Sequence, residues 1–161
     1  MDDKLSERAA EIVALLRKHS ATLATAESCT GGLIAATLTE APGASAVFRF
    51  GWVTYSAEAK MQELNVPAEL ISRHTVVSEP VVEAMAAGAR KQANADYAVA
   101  VSGNAGPTAP PGEPPVGTVC LAIATPRGIS SRTLFLPHLS RHNLRLTIVR
   151  EIFSEIISSV R

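Results

Sequence analysis

Charge, aromatic rings and cysteine are all scarce in this chain. Of its 161 residues, 19% are charged, 4% are aromatic and two are cysteine. An average soluble domain carries roughly 25% charged residues, so part of the surface is expected to be covered, most simply by a second subunit. Fifteen Lys plus Arg against fifteen Asp plus Glu leave no net charge, which argues against a general nucleic-acid binder. Cys29 and Cys120 form neither a CxxC pair nor a zinc-ligand spacing, and a reduced, cytoplasmic protein is the simplest reading. No apolar run approaches the ~18 residues of a membrane-spanning helix. The opening MDDKLSERAAEIVALL is acidic and amphipathic, whereas a signal peptide is basic and then continuously apolar. What the chain does have is apolar bulk, with 47% hydrophobic residues and a mean hydropathy of +0.17. That excludes disorder. The length suffices to bury roughly two thirds of the unfolded surface without staples. No repeat and no second composition regime is visible, so residues 1–161 are expected to form one domain.

Periodicity supplies the elements. Ala9, Ile12, Val13 and Leu16 recur at helical spacing and predict a helix over 4–19. A short strand is expected over 21–25, a turn over 27–32, and a helix over 33–39 that Pro42-Gly43 breaks. Residues 47–56, rich in aromatic and β-branched types, predict a strand. A short helix follows over 57–64, and Pro67 opens another. Ser78 is expected to cap a helix running to about Asn94. Residues 97–101 hold almost nothing polar and predict a central strand buried on both faces. The stretch GNAGPTAPPGEPP over 103–115 holds five of the ten prolines, which makes it a stiff loop. A hairpin over 117–125 and 129–136 precedes a last helix capped by Ser140, with Leu144, Ile148, Ile152, Ile156 and Val160 as its buried stripe. Alternating strands and helices ending in an antiparallel pair predict an α/β fold with a mixed sheet covered on both faces.

Four segments could carry chemistry. Thr25-Ala26-Glu27-Ser28-Cys29-Thr30-Gly31-Gly32 leads from a strand end into a helix start, where unpaired amides point outward and could meet an oxyanion beside Ser28. The same residues would also serve as an ordinary cap and close-packing turn. No GxxxxGK[ST] and no GxGxxG after a strand is present. In Tyr55-Ser56-Ala57-Glu58-Ala59-Lys60, Lys60 falls in a helix's first turn. The positive dipole end there lowers a lysine's pKa, as a base taking a proton from serine requires. A core tyrosine and a solvated lysine would read the same way. The segment around Ser102, Gly103 and Asn104 follows a buried strand at its carboxyl end, where α/β sheets place ligands. The prolines after it stiffen a wall or lid. Arg141 and Arg145 are one turn apart near a helix start, where a bound anion would suit them, although a solvated face explains them too. The four histidines form no metal pattern.

Together TAESCTGG, VTYSAEAK, VSGNAGP with the following PVGTV, and the R-x3-R turn resemble the CinA C-terminal domain family, the nicotinamide-nucleotide amidases, over residues 5–160. The resemblance implies a three-layer α/β/α sandwich with a mixed, mostly parallel sheet. It also implies hydrolysis of nicotinamide mononucleotide to nicotinate mononucleotide and ammonia, with no cofactor or metal, in a stand-alone protein that is a dimer or larger. Carried over residue by residue, Ser28 is the nucleophile, with Tyr55 and Lys60 beside it as base or orienting group in either order. Substrate would meet Cys29, Thr30, Gly31, Gly32, Ser102, Gly103, Asn104, Arg141 and Arg145, the amides of 29–31 holding the oxyanion and the two arginines the phosphate. The pattern departs from the family at Ala57, Ser102, Asn104, Thr108 to Pro115, and Leu139-Ser140. None of these removes a proposed catalytic group, and the altered 104–115 loop bears on which nucleotide is taken. Cys29, a thiol at a helix start, is a competing nucleophile. A mononucleotide-binding module acting through protein partners, and an amidase for another pyridine nucleotide, are the alternatives. No nucleic-acid or membrane partner is expected.

Overall fold

The computed structural model describes residues 3–161, so Met1 and Asp2 of the expected 1–161 unit lie outside the described residues. Helix α1 (Asp3–Lys18) leads to strand β1 (Leu23–Glu27), helix α2 (Leu33–Thr39) and strand β2 (Phe48–Val53). Helices α3 (Ala57–Leu64), α4 (Ala68–His74) and α5 (Glu79–Ala93) come next. Strands β3 (Tyr97–Gly103), β4 (Thr118–Thr125) and β5 (Gly128–Phe135) and helix α6 (Arg141–Val160) complete the order.

Three strands differ from the sequence expectation by two residues or more. β1 starts two residues late because the Asp96 carboxylate accepts from the amide and hydroxyl of Thr22, at 2.8 and 3.1 Å, and so holds Thr22 outside the ladder. β2 stops at Val53, where the Thr54 amide makes the last ladder bond to the Glu27 carbonyl and Ser56 then turns to cap α3. β3 runs on through Ser102 and Gly103 because they pair with Cys120 and Val119 across the antiparallel ladder.

The five strands lie in the order β2-β1-β3-β4-β5. β1 pairs parallel with both neighbours, and the two later pairings are antiparallel. Helices cover both faces, giving the three-layer α/β/α sandwich. Successive side chains in a strand point to opposite faces, and here the two faces differ in size. Leu23, Val99, Val101, Val119, Leu121 and Ile123 pack with α1, α2 and α6, whose stripe from Leu144 to Val160 is buried as expected. Ala24, Ala26, Ala98, Ala100, Ala122 and Ala124 pack with α5. Among the described residues, no helix is long and apolar enough to cross a membrane.

The α5 layer is tight against α3 as well. A Cβ at Gly88 would lie 2.0 Å from the Leu64 carbonyl oxygen. Helix propensity alone gives Gly88→Ala a gain of about 1 kcal/mol. The backbone clash reverses the sign, and a loss of about 3 kcal/mol is expected, read as a fall in melting temperature of roughly 6–12 °C.

Candidate active site

Strand β1 ends on Glu27, a carboxylate that is 1% exposed. Its Oε2 accepts from the amides of Gly32 (3.1 Å) and Ile34 (3.0 Å), and its Oε1 from Ala35 (2.9 Å). These are donors that the start of a helix leaves without partners, and a negative charge there is favoured by the helix dipole. Gly31 and Gly32 sit at φ +58° and +93°, a region that favours glycine. The Gly31 amide is taken by the Ser28 carbonyl at 2.9 Å. The two glycine amides expected to meet substrate are therefore satisfied from within, which corrects that expectation. The amides of Cys29 and Thr30 reach no acceptor among the described residues. Glu27→Gln would set an NH2 donor against an amide donor. A loss of about 2 kcal/mol is expected, visible as a lower urea midpoint at constant slope.

Lys60 meets Ser28 directly. The Ser56 hydroxyl caps α3 by accepting from the Ala59 amide at 3.0 Å, which fixes Lys60 one turn along and wholly buried. Its Nζ donates to Ser28 Oγ at 3.0 Å and to the Thr54 carbonyl at 2.7 Å. Burial lowers its pKa from the ordinary 10.5 to about 8, with Cys29 and Glu113 opposing the fall. The sequence points to the helix dipole, whereas desolvation is the principal cause. The Ser28 amide donates to the Val101 carbonyl at 3.1 Å, tying the turn to β3.

The neighbouring thiol is of a different kind. Cys29 is 5% exposed, and burial pushes its pKa up to about 12. It is a protonated thiol at neutral pH, and a poor nucleophile.

Tyr55 stands at the rim, 58% exposed. Arg141 donates from Nη2 to Tyr55 Oη and from Nη1 to the Gly106 carbonyl, both at 2.7 Å. No hydrogen bond joins Tyr55 to Lys60, so the pair is not assembled as a base and its orienting group. Arg145 turns away from Arg141 and donates to the Thr30 carbonyl at 2.7 Å. Its Nε is buried without a partner.

A cleft of about 440 Å³ opens at the carboxyl ends of β1 and β3. It brings together Ser28, Cys29, Tyr55, Ser102, Gly103, Asn104 and Arg141 from the sequence-predicted set. Thr30, Gly31, Gly32 and Arg145 do not line it, and Lys60 lies beneath Ser28. A Cβ at Gly103 would sit 2.7 Å from a Val119 methyl and 3.1 Å from Cys29 Sγ, so only glycine lets β3 pass this close. Ser102 Oγ donates to the Val76 carbonyl at 3.0 Å. Asn104 Nδ2 donates to the Pro114 carbonyl at 2.6 Å, pinning the proline-rich wall that the sequence predicts.

The sequence reading missed Val76, Val77 and Glu113. All three line the cleft, and the Glu113 carboxylate accepts from the Val76 and Val77 amides at 2.9 and 3.1 Å. A signal was present, since Glu113 is the one acidic residue between Asp96 and Glu151. Among the described residues, no three His, Cys, Asp or Glu side chains are grouped as metal ligands.

Residues 5–160 match the family described as the CinA C-terminal domain. The chain is 50% identical over 127 residues to the nicotinamide-nucleotide amidohydrolase PncC of Escherichia coli, covering 79% of this chain and 77% of that one. It is 46% identical over 150 residues to a CinA-like protein of Akkermansia muciniphila, covering 93% of this chain and 36% of that relative's length. The chain thus spans about a third of the longer CinA-like relatives. The crystal structure of the competence/damage inducible protein CihA from Agrobacterium tumefaciens superposes with a TM-score of 0.93 at 37% identity, covering 98% of this chain and 96% of that one.

Proposed function

Since this chain belongs to the CinA C-terminal domain family, we propose that it is a nicotinamide-nucleotide amidohydrolase that uses Ser28 to cleave the carboxamide of nicotinamide mononucleotide. The products are nicotinate mononucleotide and ammonia. The observation that carries this reading is the buried hydrogen bond of 3.0 Å between Lys60 Nζ and Ser28 Oγ at the floor of the cleft. A lysine kept from water and a serine facing a cavity make a base–nucleophile pair. The similarity to the PncC amidohydrolase supports the substrate class.

Neutral Lys60 takes the hydroxyl proton as Ser28 Oγ attacks the amide carbon. The tetrahedral oxyanion is met by the amides of Cys29 and Thr30, which reach no acceptor among the described residues. Lys60 then returns the proton to the leaving nitrogen, the C–N bond breaks, and ammonia departs. Water attacks the resulting ester, giving its proton to Lys60, and Ser28 is restored as the acid leaves. Lys60 is the base, because it touches Ser28 and Tyr55 does not. Tyr55 and Arg141, joined at the rim, hold the nucleotide end, with Arg141 on the phosphate. Arg145 acts on the Thr30 carbonyl and so positions the oxyanion turn. Ser102 and Asn104 shape the wall against which ribose lies.

The proposal includes a cytoplasmic setting, in keeping with two buried free thiols. It also includes a homo-oligomer, in keeping with Phe50 (48% exposed) and Val53 (54% exposed) on edge strand β2. The test of activity is ammonia release from nicotinamide mononucleotide by the purified chain. Release overturns the alternative of a binding module without turnover. Nucleotide binding with no ammonia overturns the amidase.

A further inference from the structure

Among the described residues, Glu113 is the one acidic side chain that lines the cleft, and Arg141 is the one basic side chain that does. The carboxylate is not free to wander. It is held on two backbone amides, those of Val76 and Val77, and the chain beside it is pinned by Asn104 on the Pro114 carbonyl. Two donors leave the rest of a carboxylate's four acceptor sites open, and Glu113 lines the cavity. Its charge also reaches the reacting end, because it bears on Lys60, whose amine touches Ser28. The cleft therefore presents a fixed negative charge near the nucleophile and a positive one at the rim.

A nicotinamide nucleotide has the matching pattern. Its ring nitrogen is quaternary and carries a permanent positive charge in the same ring as the carboxamide, meta to it, while the phosphate at the other end is an anion. We propose that Glu113 is the specificity-determining residue of the cleft, selecting carboxamides borne on a cationic pyridinium ring over neutral rings of the same shape. This rests on the amidase reading above and deepens it. A charge fixed in advance by backbone amides loses little on meeting its partner, as preorganised binding requires. A neutral ring in the same place would leave the Glu113 carboxylate partly desolvated and unpaired, which penalises the wrong ligand.

The test separates selectivity from simple support of the loop. Dissociation constants are measured by calorimetry in the Ser28→Ala background, where turnover does not interfere. The probes are nicotinamide mononucleotide and benzamide mononucleotide, whose ring has the same shape without the charge. Adding Glu113→Gln is expected to weaken the cationic probe at least about tenfold and to leave the neutral one within about twofold. Glu113→Asp, which keeps the charge, is expected to recover part of the preference. Equal weakening of both probes would assign Glu113 to loop support and overturn the proposal. So would an unchanged preference, or no binding of either probe. Ammonia release by the wild-type chain decides the amidase reading separately, so the two can fail independently.

Discussion

Ser28→Ala is expected to abolish ammonia release, lowering kcat by about 10⁴-fold or more, while the thermal transition stays within a few degrees of wild type. The size follows from the role. When a nucleophile and its base act as a unit, removing the nucleophile costs nearly all of their joint contribution. What remains is binding and oxyanion stabilisation by the amides of Cys29 and Thr30. The fold is spared because Ser28 is held through its backbone, donating to Val101 and accepting from Gly31, and alanine keeps both bonds. The only side-chain partner lost is Lys60, which retains the Thr54 carbonyl. Steady-state ammonia assays beside calorimetric melting check both halves. Near-wild-type turnover in the variant would move the nucleophile elsewhere. Cys29 is a poor substitute at neutral pH, since burial holds its thiol up at about 12.

Wild-type kcat/KM is expected to climb roughly tenfold per pH unit up to about pH 8 and to level off above it. Lys60 must be neutral to accept the serine proton, and its pKa is lowered to about 8. About a tenth of the molecules are therefore competent at pH 7 and half at pH 8. Lys60→Met removes the base, with an expected loss of about 10²–10⁴ in rate, and the rising limb disappears with it. Stability follows the same group. An unfolded lysine titrates near 10.5, so between pH 10.5 and 8 the unfolded chain binds more protons than the folded one. Folding stability therefore falls as pH drops through that window and holds at the lower level beneath it. The methionine variant lacks this slope. Urea titrations at pH 7 and 10 for both proteins measure the difference. A wild-type rate that is flat from pH 6 to 9 would overturn the assignment of Lys60 as base.

Elements with strong periodicity were legible in the sequence. The stripe from Leu144 to Val160 and the cap at Ser140 follow from spacing and side-chain chemistry, and α2 and α3 begin and end where composition changes, whereas Ser56, expected to end a strand, caps α3. Strand ends were less legible because partners distant in sequence set them. Thr22 is held outside the ladder by Asp96, and Ser102 and Gly103 are drawn into β3 by β4. The Ser28–Lys60 contact was legible through family resemblance, and the strands then bring residues 32 apart in sequence together. The direction of a side chain was not readable from spacing. Arg141 and Arg145 are one turn apart, yet one lines the cleft and the other turns to Thr30. Ser78 precedes α5 as expected, but its hydroxyl donates to the Thr75 carbonyl and does not cap the helix. Glu113 escaped notice because its role depends on the amides of Val76 and Val77, which its position in sequence does not reveal.

The carboxylate that fills the start of α2 also bears on which way round the proposed nucleotide substrate lies. In many α/β proteins the first strand-to-helix turn is where a phosphate docks, because bare amides and a helix dipole wait there. Glu27 brings its own negative charge to that position, so a phosphate would meet repulsion and few free donors. On the proposed reading the charged tail turns outward, toward Arg141 at the rim, and the uncharged carboxamide points inward to Ser28. In that proposal a single acidic residue at the end of β1 reverses the ligand's polarity relative to a phosphate-binding turn, and a geometry that elsewhere holds nucleotides becomes a hydrolytic site.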